Sequence, residues 1–175
     1  MMKSFLTVLI SFLVFGMIYG QSLETGQKAP DFELTSLQGD QFKLSSLQGQ
    51  MVLIDFWASW CAPCRKESPF LLEAYKNYHE ASFKNGEGFT ILSVSLDTRK
   101  DAWVNAITAD SLIWPIHVSD LKGWRSDVAK LYNVKGIPAN FLIDGEGTIV
   151  AINLRREGLG EKLNRLKKKS WYIFW

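Results

Sequence analysis

From Met51 to Glu67 the chain reads MVLIDFWASWCAPCRKE: a short run of apolar and aromatic residues holding one acid, Asp55, then two cysteines two residues apart. An uninterrupted apolar run of strand length reads as a central strand buried on both faces. Such a strand fits a sheet covered by helices on either side. The neighbouring stretches agree. APDFELTSLQGDQFKLSSLQGQ, with Gly39 and Gly49, predicts a hairpin leading into the domain, and a helical pattern runs from Cys64 to about Phe83. Its inward residues are expected to be Leu71, Leu72, Tyr75, Tyr78 and His79, with a kink at Pro69.

FTILSVSL (Phe89–Leu96) predicts a second buried strand, and DTRKDAWVNAITAD a short helix with Trp103, Ile107 and Val104 inward. WPIHVSD reads as a brief extended piece, and GWRSDVAKLYNV as a helix burying Trp124, Val128 and Leu131. PANFLID, GEG and TIVAINL predict a strand, a tight turn using Gly145 and Gly147, and a strand. A charged helix from about Leu159 to Lys169 follows. This order of elements predicts an α/β sandwich around a mixed central sheet.

A chain of 175 residues, 47% of them hydrophobic, is long enough for one well-filled core. The formal net charge of +2 gives no electrostatic basis for nucleic-acid binding. Lys3, the uncharged run Phe5–Tyr19 and the small Gly20 follow the order of a secretory signal cleaved after Gly20. The rival reading is an uncleaved anchor, since the run approaches the roughly 17 residues that span a bilayer. Residues 21–175 then form a single extracytoplasmic domain, soluble after cleavage or membrane-anchored without it, in a periplasmic or similar space where disulfides persist.

In that setting three readings of Cys61 and Cys64 compete. As a structural staple the pair is poor, because closing so short a loop removes almost no entropy from the unfolded chain. A closed zinc site needs four ligands, and only His79 and His117 remain, at no finger-like spacing. The third reading is a reversible redox couple. Cys61 stands where a strand gives way to a helix, and a helix N-terminus favours thiolate over thiol. Lowering a thiol pKa from about 8.5 to about 7 raises its thiolate fraction at neutral pH roughly sixteen-fold. With a Brønsted slope of about 0.45 the same change costs roughly five-fold in nucleophilicity. The net gain of about three-fold matters less than selectivity: an exposed Cys61 attacks and leaves well, while Cys64 inside the helix waits protonated.

Cys64 then needs a base. Asp55, flanked by Ile54 and Phe56, is the candidate, its pKa raised by desolvation towards the working pH. Glu67, one helical step past Cys64, either assists proton movement or is a solvated acid suited to the helix start. In VKGIPANFLI, Ile137–Pro138 precedes a strand, where proline forfeits a ladder bond and so has a positional purpose.

DFWASWCAPC followed by GIPANFLI resembles the thioredoxin superfamily, and PDFELTSLQG…LSSLQGQMVLIDFWASWCAPCRKESP is similar to its extracytoplasmic TlpA-like thiol-disulfide oxidoreductases. The leading APDFEL is shared with peroxiredoxins, the redoxin-type relatives. The likeness covers about Ala29–Leu166 and implies a thioredoxin fold with an N-terminal hairpin and a helical insert at Thr98–Pro115. It also implies that Cys61 attacks and Cys64 resolves, with Asp55 as the buried acid and Glu67 as the glutamate typical of this branch. Pro138 matches a cis-proline that presents the Ile137 backbone to an extended substrate, and Trp57 and Trp60 match the aromatic flanks of the site. Substrate contacts are thus expected at Trp60, Ala62, Pro63, Ile137 and Pro138.

The resemblance implies no metal and no cofactor beyond the Cys61–Cys64 couple. It implies protein thiols and disulfides as partners, a membrane electron donor and a monomer. Two departures stand out. Ser93 occupies the place of a lysine near the buried acid in thioredoxin, and the tail Lys167–Trp175 has no counterpart, which leaves it a loosely packed end or a membrane-surface contact.

Two other classes stay open at this level. A thiol peroxidase of the peroxiredoxin type places its cysteine in a Pro-x-x-x-Thr-x-x-Cys setting, whereas here Trp57-Ala58-Ser59-Trp60 leads to Cys61. A copper carrier of the same superfamily spaces its cysteines more widely and adds a distant histidine, for which His117 is the candidate.

Overall fold

A computed structural model describes residues 22–168 of the chain. The signal segment 1–20 and all but the first two residues of the tail lie outside the described residues. Strand β3 (Met51–Trp57) is buried along its whole length and is the middle strand of a five-stranded sheet. On one side it pairs in parallel with β6 (Phe89–Ser95), which pairs in parallel with β7 (Ile116–Val118). On the other it pairs antiparallel with β8 (Ala139–Ile143), which pairs antiparallel with β9 (Ile149–Ile152). The expected hairpin is β1 (Glu33–Thr35) with β2 (Gln41–Lys43), and a second small one joins β4 (Ser82–Phe83) to β5 (Gly86–Glu87). The helices are α1 (Ala62–Tyr78), α2 (Lys100–Ala109) within the expected insert, α3 (Asp127–Leu131) and α4 (Glu157–Leu166). This is the mixed α/β architecture that the order of apolar runs predicts.

Register sorts the residues of β3 between two faces. Asp55 points one way; Ile54 and Phe56 point the other. Phe56, Tyr132, Phe141 and Phe32 meet there in edge-to-face and tilted contacts with centroids 5.1–6.2 Å apart. The Tyr132 hydroxyl donates to the Pro30 carbonyl at 2.7 Å and ties α3 to the N-terminal segment. The turn before β9 uses Gly147 at φ +78°, a conformation that glycine adopts without strain. Helices α1 and α4 pack together, with the Tyr78 hydroxyl on the Gly160 carbonyl at 3.2 Å.

Several local expectations are corrected. Helix α1 starts two residues earlier and ends five earlier than its pattern suggests, because Phe83 is drawn into the core by the β4–β5 hairpin. It continues through Pro69, whose missing N–H leaves only one interior bond unmade. His79 is exposed and stacks on Tyr75. In α2 the partner of Trp103 in the core is Ala106, three residues on, while Val104 faces solvent. GWRSDVAKLYNV is two pieces, a 3₁₀ turn (Gly123–Arg125) and α3, because Ser126 takes extended angles between them. The buried set there is Val128, Ala129 and Tyr132, so Trp124 and Leu131 are exposed. Lys167 and Lys168 are not loose: they pair with Phe83 and Ser82, and Lys168 meets Glu87 at 2.9 Å.

Candidate active site

The strand β3 and the helix α1 are joined by only four residues, Ala58-Ser59-Trp60-Cys61. Cys61 is the N-cap of α1, with Ala62 and the exposed Pro63 in the first turn, where proline needs no N–H partner. Its Sγ accepts the Cys64 N–H at 3.2 Å and is bonded to the Cys64 sulfur, with Cα atoms 5.3 Å apart. Both cysteines are buried in this oxidised state, Cys61 at 4% exposure. Sequence reasoning expected Cys61 to be exposed; the disulfide instead turns its sulfur inward over the helix N-terminus. The Ile137–Pro138 bond is cis, and the Ile137 carbonyl oxygen lies 3.8 Å from Cys61 Sγ. Trp57 and Trp60, expected as a pair of flanks, part company: Trp57 is buried, whereas Trp60 is 55% exposed.

Asp55 lies in register between Ser93 of β6 and Asn140 of β8, so the three share a face. Burial pushes the Asp55 carboxyl up to about 7, a shift reinforced by the charge of Glu67 and opposed by that of Arg155. Ser93 sits directly opposite the acid, as the comparison with thioredoxin anticipates, and its hydroxyl accepts the Trp114 indole N–H at 2.9 Å. The cation near Asp55 comes from elsewhere. Arg155, just past β9, donates to the carbonyls of Leu154 and Pro138, so one guanidinium touches the proline loop while its charge opposes the upward shift of the acid. The loop bearing it is fastened by Asn140, whose amide donates to the Leu154 carbonyl at 2.9 Å and accepts the Leu154 N–H at 2.8 Å.

Glu67 is neither free in water nor hydrogen-bonded to a cysteine. Its Oε2 accepts the N–H of Arg156, the residue capping α4, at 2.7 Å. It thereby anchors α4 to α1 while its charge still reaches Asp55. His117 is buried, donates from Nε2 to the Trp114 carbonyl at 2.9 Å and stacks on that indole, and burial pushes it down to about 4. A neutral imidazole locked in this way has a packing role.

Asp97 was not singled out in the sequence. It is buried at the end of β6 and holds the loop before Cys61, accepting the Ser59 N–H at 2.9 Å, the Ser59 hydroxyl at 2.5 Å and the Ser95 hydroxyl at 2.7 Å. The signal available in SLDT was an acid immediately after an apolar strand parallel to the cysteine-bearing one, but only the register brings it to Ser59. Replacing Asp97 by Ala leaves three donors without their acceptor. Two are hydroxyls free to turn to other acceptors and Ser59 is only part-buried, so the loss is about that of one or two buried unpaired donors at roughly 1–3 kcal/mol each. We expect Asp97→Ala to lower stability by about 2–4 kcal/mol and to speed reduction of the disulfide by dithiothreitol; Asp97→Asn, which keeps an acceptor oxygen, has the smaller effect. Thermal unfolding and the reduction rate read both. Arg65 adds a second tether, gripping Asp110 at the end of α2 with two bonds of 2.8 and 2.6 Å.

Comparison with known proteins matches this arrangement. Residues 25–152 match the AhpC/TSA family model. The chain is 32% identical over 149 residues to the thiol-disulfide oxidoreductase ResA of Bacillus thuringiensis, covering 85% of this chain and 80% of that protein. It is 36% identical over 132 residues to the thioredoxin-like protein YneN of Bacillus subtilis, covering 75% of this chain and 72% of that one. Among solved structures, the thioredoxin domain of a thiol-disulfide oxidoreductase from Bacteroides vulgatus superposes with a TM-score of 0.75 at 37% identity, covering 84% of this chain and all of that one. With a cysteine pair bonded at a helix N-terminus, a facing cis-proline and these relatives, the chain belongs to the AhpC/TSA family and, within the thioredoxin superfamily, to the TlpA-like thiol-disulfide oxidoreductases.

Proposed function

We propose that this oxidoreductase works outside the cytoplasm and reduces or isomerises disulfides of secreted proteins, Cys61 being the attacking and Cys64 the resolving thiol. The single observation that carries this reading is the position of the Cys61–Cys64 bond, capping α1 and 3.8 Å from the Ile137 carbonyl. In the reduced protein the Cys61 thiolate attacks one sulfur of a substrate disulfide and expels the other as thiolate. Cys64 then gives up its proton and attacks Cys61, releasing the second substrate thiol and re-forming the Cys61–Cys64 bond. Two electrons pass to the substrate, and a membrane-borne dithiol donor returns them. Asp55, its carboxyl pushed up to about 7, accepts the Cys64 proton in its ionised carboxylate form. The backbone of Ile137 beside Pro138 offers an extended substrate a strand edge, with Trp60, Ala62 and Pro63 around it.

No charged side chain lies between the cysteines, so nothing there beyond the helix end stabilises the thiolate, which favours donating electrons over withdrawing them. Residues 1–20 supply the export signal in this reading. No helix among the described residues is long and apolar enough to cross a membrane. The test is capture. Expressed with its leader, Cys64→Ala is expected to carry exported proteins as mixed disulfides on Cys61, released by dithiothreitol. Absence of such adducts, together with rapid consumption of hydrogen peroxide by the reduced protein, contradicts the proposal and favours a peroxidase.

A further inference from the structure

Two indoles stand in solvent at the mouth of the site. Trp60, next to Cys61, is 55% exposed, and Trp124, from the 3₁₀ turn before α3, is 49% exposed; their ring centroids are 6.3 Å apart and tilted by 52°. They are two of only five large apolar side chains left exposed among the described residues. Neither is there through laxity of the backbone. Ser59 is held by Asp97, and Gly123 is buried at φ +59°, where a Cβ would meet the Thr98 methyl at 3.0 Å. The turn bearing Trp124 is therefore seated against the chain just past β6, and glycine suits both the close approach and the positive φ at its root. The backbone is held up to both rings, and about half of each ring remains open to solvent.

We propose that Trp60 and Trp124, packed against each other, form an open-sided aromatic clamp, one continuous surface for a large apolar side chain next to the reacting cysteine of the substrate. This rests on the reading of the protein as a reductase of protein disulfides, and it names which disulfides are preferred. The occupant is an extended segment of a partner protein. One end of its path is fixed by the sulfur bonded to Cys61 and the Ile137 backbone, and Trp60, the immediate neighbour of Cys61, continues that surface to Trp124. Charge narrows the occupant further. Lys66 follows the cysteines on α1, Arg125 adjoins Trp124 and Lys135 precedes Ile137 by two residues; all three are exposed, and no carboxylate among the described residues pairs with them. Residues around the substrate cysteine are acidic or neutral rather than basic. An aromatic surface of two rings contacting one side chain is worth about five- to tenfold in rate over alanine.

The test uses short peptides with one cysteine, blocked as a mixed disulfide with 2-mercaptoethanol, and the neighbouring residue varied through Trp, Leu and Ala. Cys61 attacks the peptide sulfur and expels 2-mercaptoethanol; Cys64 displaces the peptide thiol, so one disulfide is consumed and one formed. The wild-type protein is expected to reduce the Trp and Leu peptides roughly five- to tenfold faster than the Ala peptide, and a version with flanking lysines more slowly. Trp124→Ala is expected to bring the Trp-to-Ala ratio near one, and Trp124→Phe to keep most of it. The ratio is taken within each variant, so a change in overall activity does not obscure it. Equal rates for all peptides in the wild type overturn the clamp and leave the reductase reading intact. A preference that survives in Trp124→Ala overturns the role of Trp124. Reduction of none of the peptides overturns the reductase reading and the clamp with it.

Discussion

Cys61→Ser is expected to lower disulfide exchange by at least about 10³-fold, to the background of the small-molecule reductant. Serine keeps the shape of the N-cap and even improves it as a hydrogen-bond acceptor, so the fold remains while the nucleophile is lost. Cys64→Ala behaves differently. The helix N-terminus that assists the first attack is unchanged, so a mixed disulfide forms at a rate within a few-fold of the wild type. Resolution has no attacking sulfur, and turnover stops. Single-turnover mass spectrometry separates the two, giving no adduct for Cys61→Ser and a stable adduct for Cys64→Ala.

Asp55→Asn is expected to produce a more stable and slower enzyme. The unfolded chain ionises this acid near its ordinary value of 3.8, whereas in the fold it stays protonated up to about 7. Below about pH 4 the acid is neutral in both states and makes no difference. As the pH rises from about 4 to about 7 only the unfolded state releases the proton, so native stability falls by about 1.4 kcal/mol per pH unit, then levels off above 7. Asparagine removes this dependence. The variant should match the wild type near pH 4 and exceed it by about 3–4 kcal/mol at pH 8, read by denaturant unfolding at both pH values. If Asp55 is the proton acceptor, as proposed, its loss should slow resolution of the mixed disulfide roughly 10²-fold while leaving the first attack nearly unchanged. Arg155 and Glu67 pull the acid in opposite directions, so Arg155→Ala should move the pH midpoint of resolution upward.

The residues to which the proposal assigns the chemistry were legible because Asp55, Cys61, Cys64 and Glu67 lie in one unbroken stretch. The apolar run around Asp55 marked both the central strand and the misplaced charge, and the strand-to-helix junction marked Cys61. The proline before β8, outside that stretch, was legible on different grounds: a residue that cannot donate to a ladder stands out. What stayed hidden is long-range. Asp97 reaches Ser59 across 38 residues, Glu67 reaches the Arg156 N–H across 89, and the charge of Arg155 acts on Asp55 only after β8 folds back along β3 and β9 along β8. Trp124 misled for another reason. Its spacing to Val128 suits a continuous helix, but Ser126 breaks that helix, and the ring turns to solvent beside Trp60.

Differential alkylation of the fully reduced protein tests the central claim most directly. With limiting iodoacetamide across pH 5–9, followed by peptide mass spectrometry, label is expected on Cys61 first and at a pH below that needed for a free thiol, with Cys64 labelled far more slowly. Label reaching Cys64 first, or two sulfurs equally inert to the reagent, contradicts the account.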